Sequence, residues 1–231
     1  ESAVKEETKS QNMKTELITN VSHELKTPLQ NISGCAELLS NGLVKEEDIT
    51  KFSNQIYSES KRLMTLIDDI IKLSYLDEDN NDSVDYKDVD VYKLCESVNN
   101  DLALVAKNCN VNLNLKGDHF ITNSSSRLLY MVIYNLVDNA IKYNRPGGYV
   151  DVSVSNEGIK VKDNGIGIPE ESIDRIFERF YRVDKSHSKE VGGTGLGLSI
   201  VKHAVLTLGG DISVKSKLNK GSEFTIVLPK L

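Results

Sequence analysis

Val21-Ser22-His23-Glu24-Leu25-Lys26-Thr27-Pro28-Leu29 is the stretch from which the rest of the chain can be read. Around it Leu17, Val21, Leu25, Leu29, Ile32, Ala36 and Leu39 recur at helical spacing and form one apolar stripe. At about 100° per residue, His23 lies roughly 180° from the middle of that stripe. Thr27, one turn on, shares the outward side. Glu24 sits about a quarter-turn round. An outward histidine beside an acid is equipment for a nucleophile. Imidazole is half neutral near its unperturbed pKa of about 6.5. A carboxylate accepting from the other ring N–H fixes the tautomer and stabilises the cation formed on attack. A lone His-Glu pair is more often solvated surface, so the rest of the chain must decide.

The 231 residues suit one large domain or two small ones. With 39% hydrophobic and 27% charged residues the chain can build cores and stay in solution. A net charge of −6 argues against a nucleic-acid binder that works by neutralising phosphates. No run of eighteen apolar residues exists to span a membrane. The chain opens on Glu1 with no visible signal peptide, and reads as a piece of something longer. Cys35, Cys95 and Cys109 lack CxxC spacing, and with only four histidines a zinc site is not expected. An odd cysteine count suggests reduced thiols in a cytoplasmic compartment. Cys35 reads as core filler.

A helix is expected from about Met13 to Leu39, bent at Pro28 and ended by Asn41-Gly42. A second, from about Glu46 to Asp77, carries Ile49, Phe52, Ile56, Leu63, Ile67, Ile70 and Leu73 on one side. Two antiparallel helices make a hairpin. A hairpin alone cannot cover both stripes, whereas two copies in a four-helix bundle can. A homodimer is therefore expected through the first 77 residues. Residues 78–90, EDNNDSVDYKDVD, are acidic and without period and read as a linker. From 91 to 231 strands alternate with helices. Helices are expected near 91–107 and 126–143, with two more after the glycine-rich loops. Strands are expected near 111–115, 119–122, 149–155, 159–162, 211–216 and 223–228. The fold class is α+β in two domains: a helical hairpin forming a dimeric four-helix bundle, then an α/β sandwich with helices on one sheet face.

Four segments of the second domain carry chemistry. Asn135, Asn139 and Lys142 share one side of a helix. Amide oxygens are hard ligands suited to Mg²⁺, and a lysine can meet phosphate. A polar solvent face is an equal reading of that segment alone. Asp163-Asn164-Gly165-Ile166-Gly167 follows a strand. Its carboxylate can accept from an exocyclic amine such as adenine N6, and its glycines let backbone approach a flat ring. A simple turn is as good a reading by itself. Gly192-Gly193-Thr194-Gly195-Leu196-Gly197 leads into a helix near Gly195, and such a start offers N–H donors to phosphate. It is neither a P-loop nor a dinucleotide fingerprint. Phe177-Glu178-Arg179-Phe180-Tyr181-Arg182 precedes it. Its aromatics can anchor a mobile lid over 183–191 and its arginines can reach a phosphate, although core aromatics with surface arginines is the commoner pattern.

Taken in order, from Met13 to Leu228, these segments resemble the sensor histidine kinases of two-component systems. HELKTPL matches the phosphoacceptor box. The others are similar to the N box, the two glycine boxes and the phenylalanine box of the ATP-binding domain shared with gyrase, a heat-shock chaperone and a mismatch-repair ATPase. The resemblance implies a Bergerat-type ATP site and roles for the matched residues. His23 would be phosphorylated, with Glu24 as general base or orienter, and Thr27 would place a water for dephosphorylating the partner. Asn135 and Asn139 would handle Mg²⁺, Lys142 the phosphates, Tyr143 the nucleotide and Asp163 the adenine. Arg179 or Arg182 would stabilise the transferring group. Gly165, Gly167, Gly193, Thr194, Gly195, Leu196 and Gly197 would line the nucleotide and let a lid close. One departure stands out: Asn123-Ser124-Ser125-Ser126-Arg127 lacks the aspartate often found upstream of that arginine, which implies weaker local anchoring.

The expected activity is ATP-dependent autophosphorylation of His23 and transfer to an aspartate on a response regulator receiver domain. Phosphatase action toward that regulator is expected beside it. No nucleic acid is expected as partner, and the membrane would enter only through a region outside this chain, which would lie on the cytoplasmic side. A non-enzymatic ATP-binding scaffold or a chaperone-like ATPase is the rival from another class. ATP hydrolysis without histidine labelling would favour the ATPase.

Overall fold

The computed structural model of the chain describes residues 2–77, 85–183 and 193–229, with side chains placed from residue 18. It separates into two compact units, residues 1–71 and 72–231.

The first unit is built from helix α1 (Ser2–Ser40) and the first part of helix α2 (Ile49–Asp77), with a one-turn 3₁₀ segment at Glu46–Asp48 before α2. Helix α1 begins at Ser2 rather than near Met13. Residues 2–12 have no apolar stripe to signal a helix, but Ala, Lys and Glu are good helix formers. The helix runs through Pro28. It stops in a Schellman turn, in which Leu43 N–H donates to the Leu38 carbonyl and Gly42 N–H to that of Leu39. The apolar side is phased differently from the sequence reading. Among the described side chains of α1, Pro28 and Cys35 are the buried positions, the latter as the sequence reading had it, while Leu29 (56% exposed) and Ala36 face outward. The apolar surface of α1 is wider than one neighbouring helix covers, so a wheel centred on all the apolar residues points between two faces.

The second unit contains the end of α2 and seven strands: β1 (Lys87–Asp90), β2 (Asn112–Gly117), β3 (Ile121–Ser124), β4 (Tyr149–Ser155), β5 (Gly158–Asp163), β6 (Asp211–Lys217) and β7 (Gly221–Val227). Its described helices, besides the end of α2, are α3 (Val91–Asn108), α4 (Ser126–Lys142) and α5 (Gly197–Thr207). The main sheet has the order β2-β4-β5-β7-β6, with β2 and β4 parallel and the other neighbours antiparallel. Burial alternates along β4: Val150, Val152 and Val154 are buried and Tyr149, Asp151 and Ser153 are half-exposed. That period of two marks a sheet covered on one face. Val98, Leu102, Leu129, Ile133, Leu136, Val201 and Ala204 from the three helices close that face.

Two expectations are corrected. The interval 78–90 is not linker throughout, because Lys87–Asp90 pairs antiparallel with Ile121–Ser124 as a two-stranded ribbon. A four-residue strand with three acidic or basic residues has no alternation to read. Asp90 also caps α3, accepting from the Lys93 N–H at 3.2 Å. Of the two helices expected with the glycine-rich loops, the region after Pro169 shows, among the described residues, only a 3₁₀ turn at Glu170–Ser172 followed by irregular turns. The second is α5, which starts at Gly197 rather than Gly195. Most of the lid expected over 183–191 lies outside the described residues.

Candidate functional site

His23 is exposed on α1, and so is Thr27 one turn later. The Thr27 hydroxyl donates back to the His23 carbonyl at 3.3 Å. Such a bond to the carbonyl four residues back is a common helical contact of threonine, whereas the N–H missing at Pro28 leaves the Glu24 carbonyl without its ladder partner. Glu24 reaches toward α2, where Arg62 Nη2 lies 3.2 Å from its Oε2. The sequence therefore placed the imidazole and the hydroxyl correctly, but gave no hint that the acid has a cationic partner thirty-eight residues away.

In the second unit, Asp163 ends β5 and is buried. Its Oδ1 accepts from Gly165 N–H (2.8 Å) and from Ser222 N–H (3.2 Å). Burial pushes this carboxyl above the usual aspartate range, and the two backbone donors pull the other way. Both donors depend on missing side chains. A Cβ on Gly165 would stand 2.3 Å from the Tyr143 carbonyl oxygen, and one on Gly221 would stand 2.1 Å from that of Asp163. Ser222 and Gly221 were not singled out from the sequence; their contribution appears only when β7 pairs with β5.

The wall around Asp163 is tied together by backbone and amide bonds. Ile166 N–H donates to Tyr143, and Asn219 N–H donates to Ile166. Asn164 Oδ1 accepts from Tyr149 N–H at 2.7 Å. Arg145 Nη2 reaches the Asn219 carbonyl at 3.2 Å. Gly167 packs against the Lys217 carbonyl, where a Cβ would lie 2.1 Å away. Tyr143 is half-exposed at the end of α4.

On α4, the Asn135 amide donates to the Met131 carbonyl at 2.8 Å, which leaves its Oδ1 as the outward acceptor. That oxygen and the Asn139 amide both meet the start of α5: a Cβ on Gly197 would lie 3.2 Å from Asn135 Oδ1 and 3.9 Å from Asn139 Nδ2. The two amides and an eleven-residue helix N-terminus thus converge, a donor and acceptor set that fits a phosphate chain with a hard divalent cation. Lys142 does not point at this group; its ammonium is 2.6 Å from Asp138 on its own helix. Thr194 is buried and its hydroxyl oxygen accepts from Leu196 N–H at 3.2 Å. The Leu196 side chain lies wholly in the core, so only its backbone is left for a ligand. Gly193 is half-exposed. Arg179 and Arg182 are half-buried on the segment leading to the glycines. Phe180 in that segment takes φ of +64° and donates its N–H to the Gly195 carbonyl. The neighbouring Arg175 lies 4.4 Å over the Tyr181 ring and is held by Glu178.

A helical hairpin with an outward histidine, followed by a one-sided mixed sheet with this cleft, is the architecture of a histidine-kinase catalytic core. Residues 13–79 match the family model of the His Kinase A (phospho-acceptor) domain. Residues 124–231 match that of the histidine kinase-, DNA gyrase B- and HSP90-like ATPases. The chain is 35% identical over 244 aligned positions to the sensor histidine kinase WalK of Bacillus subtilis, covering 98% of this chain and 38% of that protein. Among solved structures it resembles histidine kinase ThkA in complex with response regulator protein TrrA (TM-score 0.73, 24% identity, 94% of this chain and 61% of that one). It also resembles full-length ShkA in complex with AMPPNP (TM-score 0.63, 25% identity, 93% of this chain and 45% of that one). The chain belongs to the sensor histidine kinases of two-component systems. It spans well under half the length of the Bacillus relative, and none of its described helices is long and apolar enough to cross a membrane.

Proposed function

We propose that the chain is a protein-histidine kinase core that phosphorylates His23 from Mg-ATP and passes the group to an aspartate on a response regulator. The observation that carries this is an exposed imidazole on α1, next to an acid anchored from α2, in the same chain as the Asp163 cleft. In the reaction a His23 ring nitrogen bonds to the γ-phosphorus. The bond to the β,γ-bridging oxygen breaks, and ADP leaves with that electron pair. The proton on the other ring nitrogen goes to Glu24 as base. Asp163 accepts from the adenine amine through the oxygen that the backbone leaves open. Asn135 and Asn139 would hold Mg²⁺, which would offset charge on the phosphates. Arg179 or Arg182 meets the transferring group. Thr27 on the same outward side orients a water against the regulator's aspartyl phosphate, giving phosphatase action.

The working unit is a homodimer through residues 1–77. Ile18, Leu29, Ile67 and Ile71 are between 43% and 66% exposed on a single chain, an apolar surface that a second hairpin would cover. The remainder of 78–90, outside the β1 strand, acts as the tether between the acceptor helix and the 91–231 catalytic domain. The chain is the cytoplasmic part of a sensor whose membrane anchor lies elsewhere in the protein. Incubation with Mg-ATP, then with a receiver domain, tests the reading. Label that appears first on the kinase and then chases onto the receiver supports it. ATP turnover with no phosphoprotein at any time contradicts it.

A further inference from the structure

Four polar side chains are linked across the hairpin at the level of His23. Arg62 Nη2 is 3.2 Å from Glu24 Oε2, and Arg62 Nη1 is 3.9 Å from Glu59 Oε2. The other Glu59 oxygen accepts from Asn31 Nδ2 at 2.9 Å. Glu59 and Arg62 are three residues apart and so lie on one side of α2. Their partners, Glu24 and Asn31, lie on either side of Pro28. Proline has no N–H to give to the carbonyl four residues earlier, so the turn that begins at Glu24 is the softest in α1. The α2 pair therefore braces α1 on both sides of its weak turn. The Arg62 side chain is only 12% exposed, against 35% for Glu24. A guanidinium largely withdrawn from water holds its carboxylate more firmly than a surface lysine would.

Neighbouring residues on a helix point about 100° apart. An untethered glutamate beside His23 would sample many positions through its three side-chain torsions. We propose that Arg62 is a positioning residue for phosphorylation of His23: its guanidinium fixes Glu24 by one carboxylate oxygen and leaves the other free to take the proton. The inference rests on the kinase reading above. Arg62 sits in the acceptor unit, so its loss changes the rate of transfer to His23 and leaves ATP binding alone.

The test uses the whole chain and initial rates of His23 labelling across a range of ATP concentrations. Wild type, Arg62→Ala, Arg62→Lys and Asn31→Ala are compared, with circular dichroism on each. Arg62→Ala should lower kcat about tenfold, a fraction of what a positioned base contributes, with KM for ATP unchanged. Arg62→Lys should recover part of that loss. Asn31→Ala, which loosens the brace but not Glu24, should run at the wild-type rate. If Arg62→Ala loses helix, Arg62→Gln takes its place as the neutral variant of similar length. A neutral variant as fast as wild type overturns the proposal. So does an Asn31→Ala enzyme slowed equally, which would make the link purely structural, or an Arg62→Lys enzyme no faster than the neutral variant. Any of these with a wild type that labels normally leaves the kinase reading standing. A wild type that takes no label on His23 overturns both.

Discussion

Phe180 and Gly195 share a backbone hydrogen bond of 2.9 Å, and both stand in the left-handed region, at φ +64° and +76°. A phenylalanine there costs about 1–2 kcal/mol relative to glycine. The pairing fixes the phenylalanine segment against the glycine-rich turn, just before α5. Gly195→Ala adds a Cβ 2.9 Å from Phe180 backbone in a conformation that L-residues resist. It should lower Tm and weaken nucleotide binding at least tenfold, and thermal unfolding with and without nucleotide reads both effects. An unchanged affinity would separate this turn from the site.

Asp163 shows a trade between stability and binding. Its pKa is raised by burial, so the folded state binds its proton more tightly than the unfolded chain does. Ionising it therefore costs stability, a cost absent below the unfolded pKa and complete above the folded one. Asp163→Asn keeps an Oδ1 acceptor for Gly165 and Ser222 and removes the charge. The nucleotide-free chain should gain Tm at neutral pH and lose that gain as pH falls through the carboxylate range. ATP affinity should drop about 10- to 100-fold, the loss of one charge-assisted bond. Calorimetry at pH 7 and pH 4 tests the first, and titration with ATP the second.

The dimer face makes a separate prediction. Ile67→Glu with Ile71→Glu puts two charges on an apolar surface that is open in one chain. Sedimentation at micromolar concentration should change from dimer to monomer, while ATP binding by the second unit persists. A wild type that already sediments as a monomer would remove the bundle from the account.

Thr27 is expected to separate the two activities. Thr27→Ala removes the hydroxyl beside His23 without touching the imidazole. Labelling of His23 should stay within about twofold, well under the 1.4 kcal/mol that a tenfold change represents. Loss of phosphate from a phosphorylated regulator should slow at least tenfold. Equal slowing of both would assign Thr27 to the helix rather than to a water.

The segment that lacks the usual aspartate also has a measurable consequence. Among the described residues, Ser125, the N-cap of α4, makes no side-chain cap bond, and the buried Ser124 hydroxyl has no hydrogen-bond partner. Ser125→Asp supplies a charged cap at a helix start and should add about 0.5–1 kcal/mol of stability. Denaturant unfolding of the variant reads that gain directly.

Much of this was legible in the sequence because it is local. The alternation in Tyr149–Ser155 and the apolar stripes of α3 and α4 specify their elements within one or two residues. Asp163 and the glycines could be singled out by residue type and spacing, but a simple turn was an equal reading of them, and their proposed roles come from the resemblance to the histidine kinases. What escaped depends on contacts distant in sequence. Ser222 reaches Asp163 only through strand pairing, and Arg62 reaches Glu24 only through the hairpin. Lys142 was read as meeting phosphate, and its ammonium pairs here with Asp138 four residues before it, a partner the sequence reading did not weigh. The phase of α1 was misread because two apolar faces adjoin there, and averaging them hides the buried Pro28, although Cys35 was read as core filler and is buried.

The central claim is that the outward imidazole of α1 carries the phosphoryl group. The direct measurement is phosphosite mapping by mass spectrometry under alkaline conditions after incubation with Mg-ATP, with His23→Gln as the paired control. The account predicts phosphate on His23, and a control that still binds ATP but takes up none. Phosphate on another residue, or undiminished labelling of the His23→Gln chain, would contradict it.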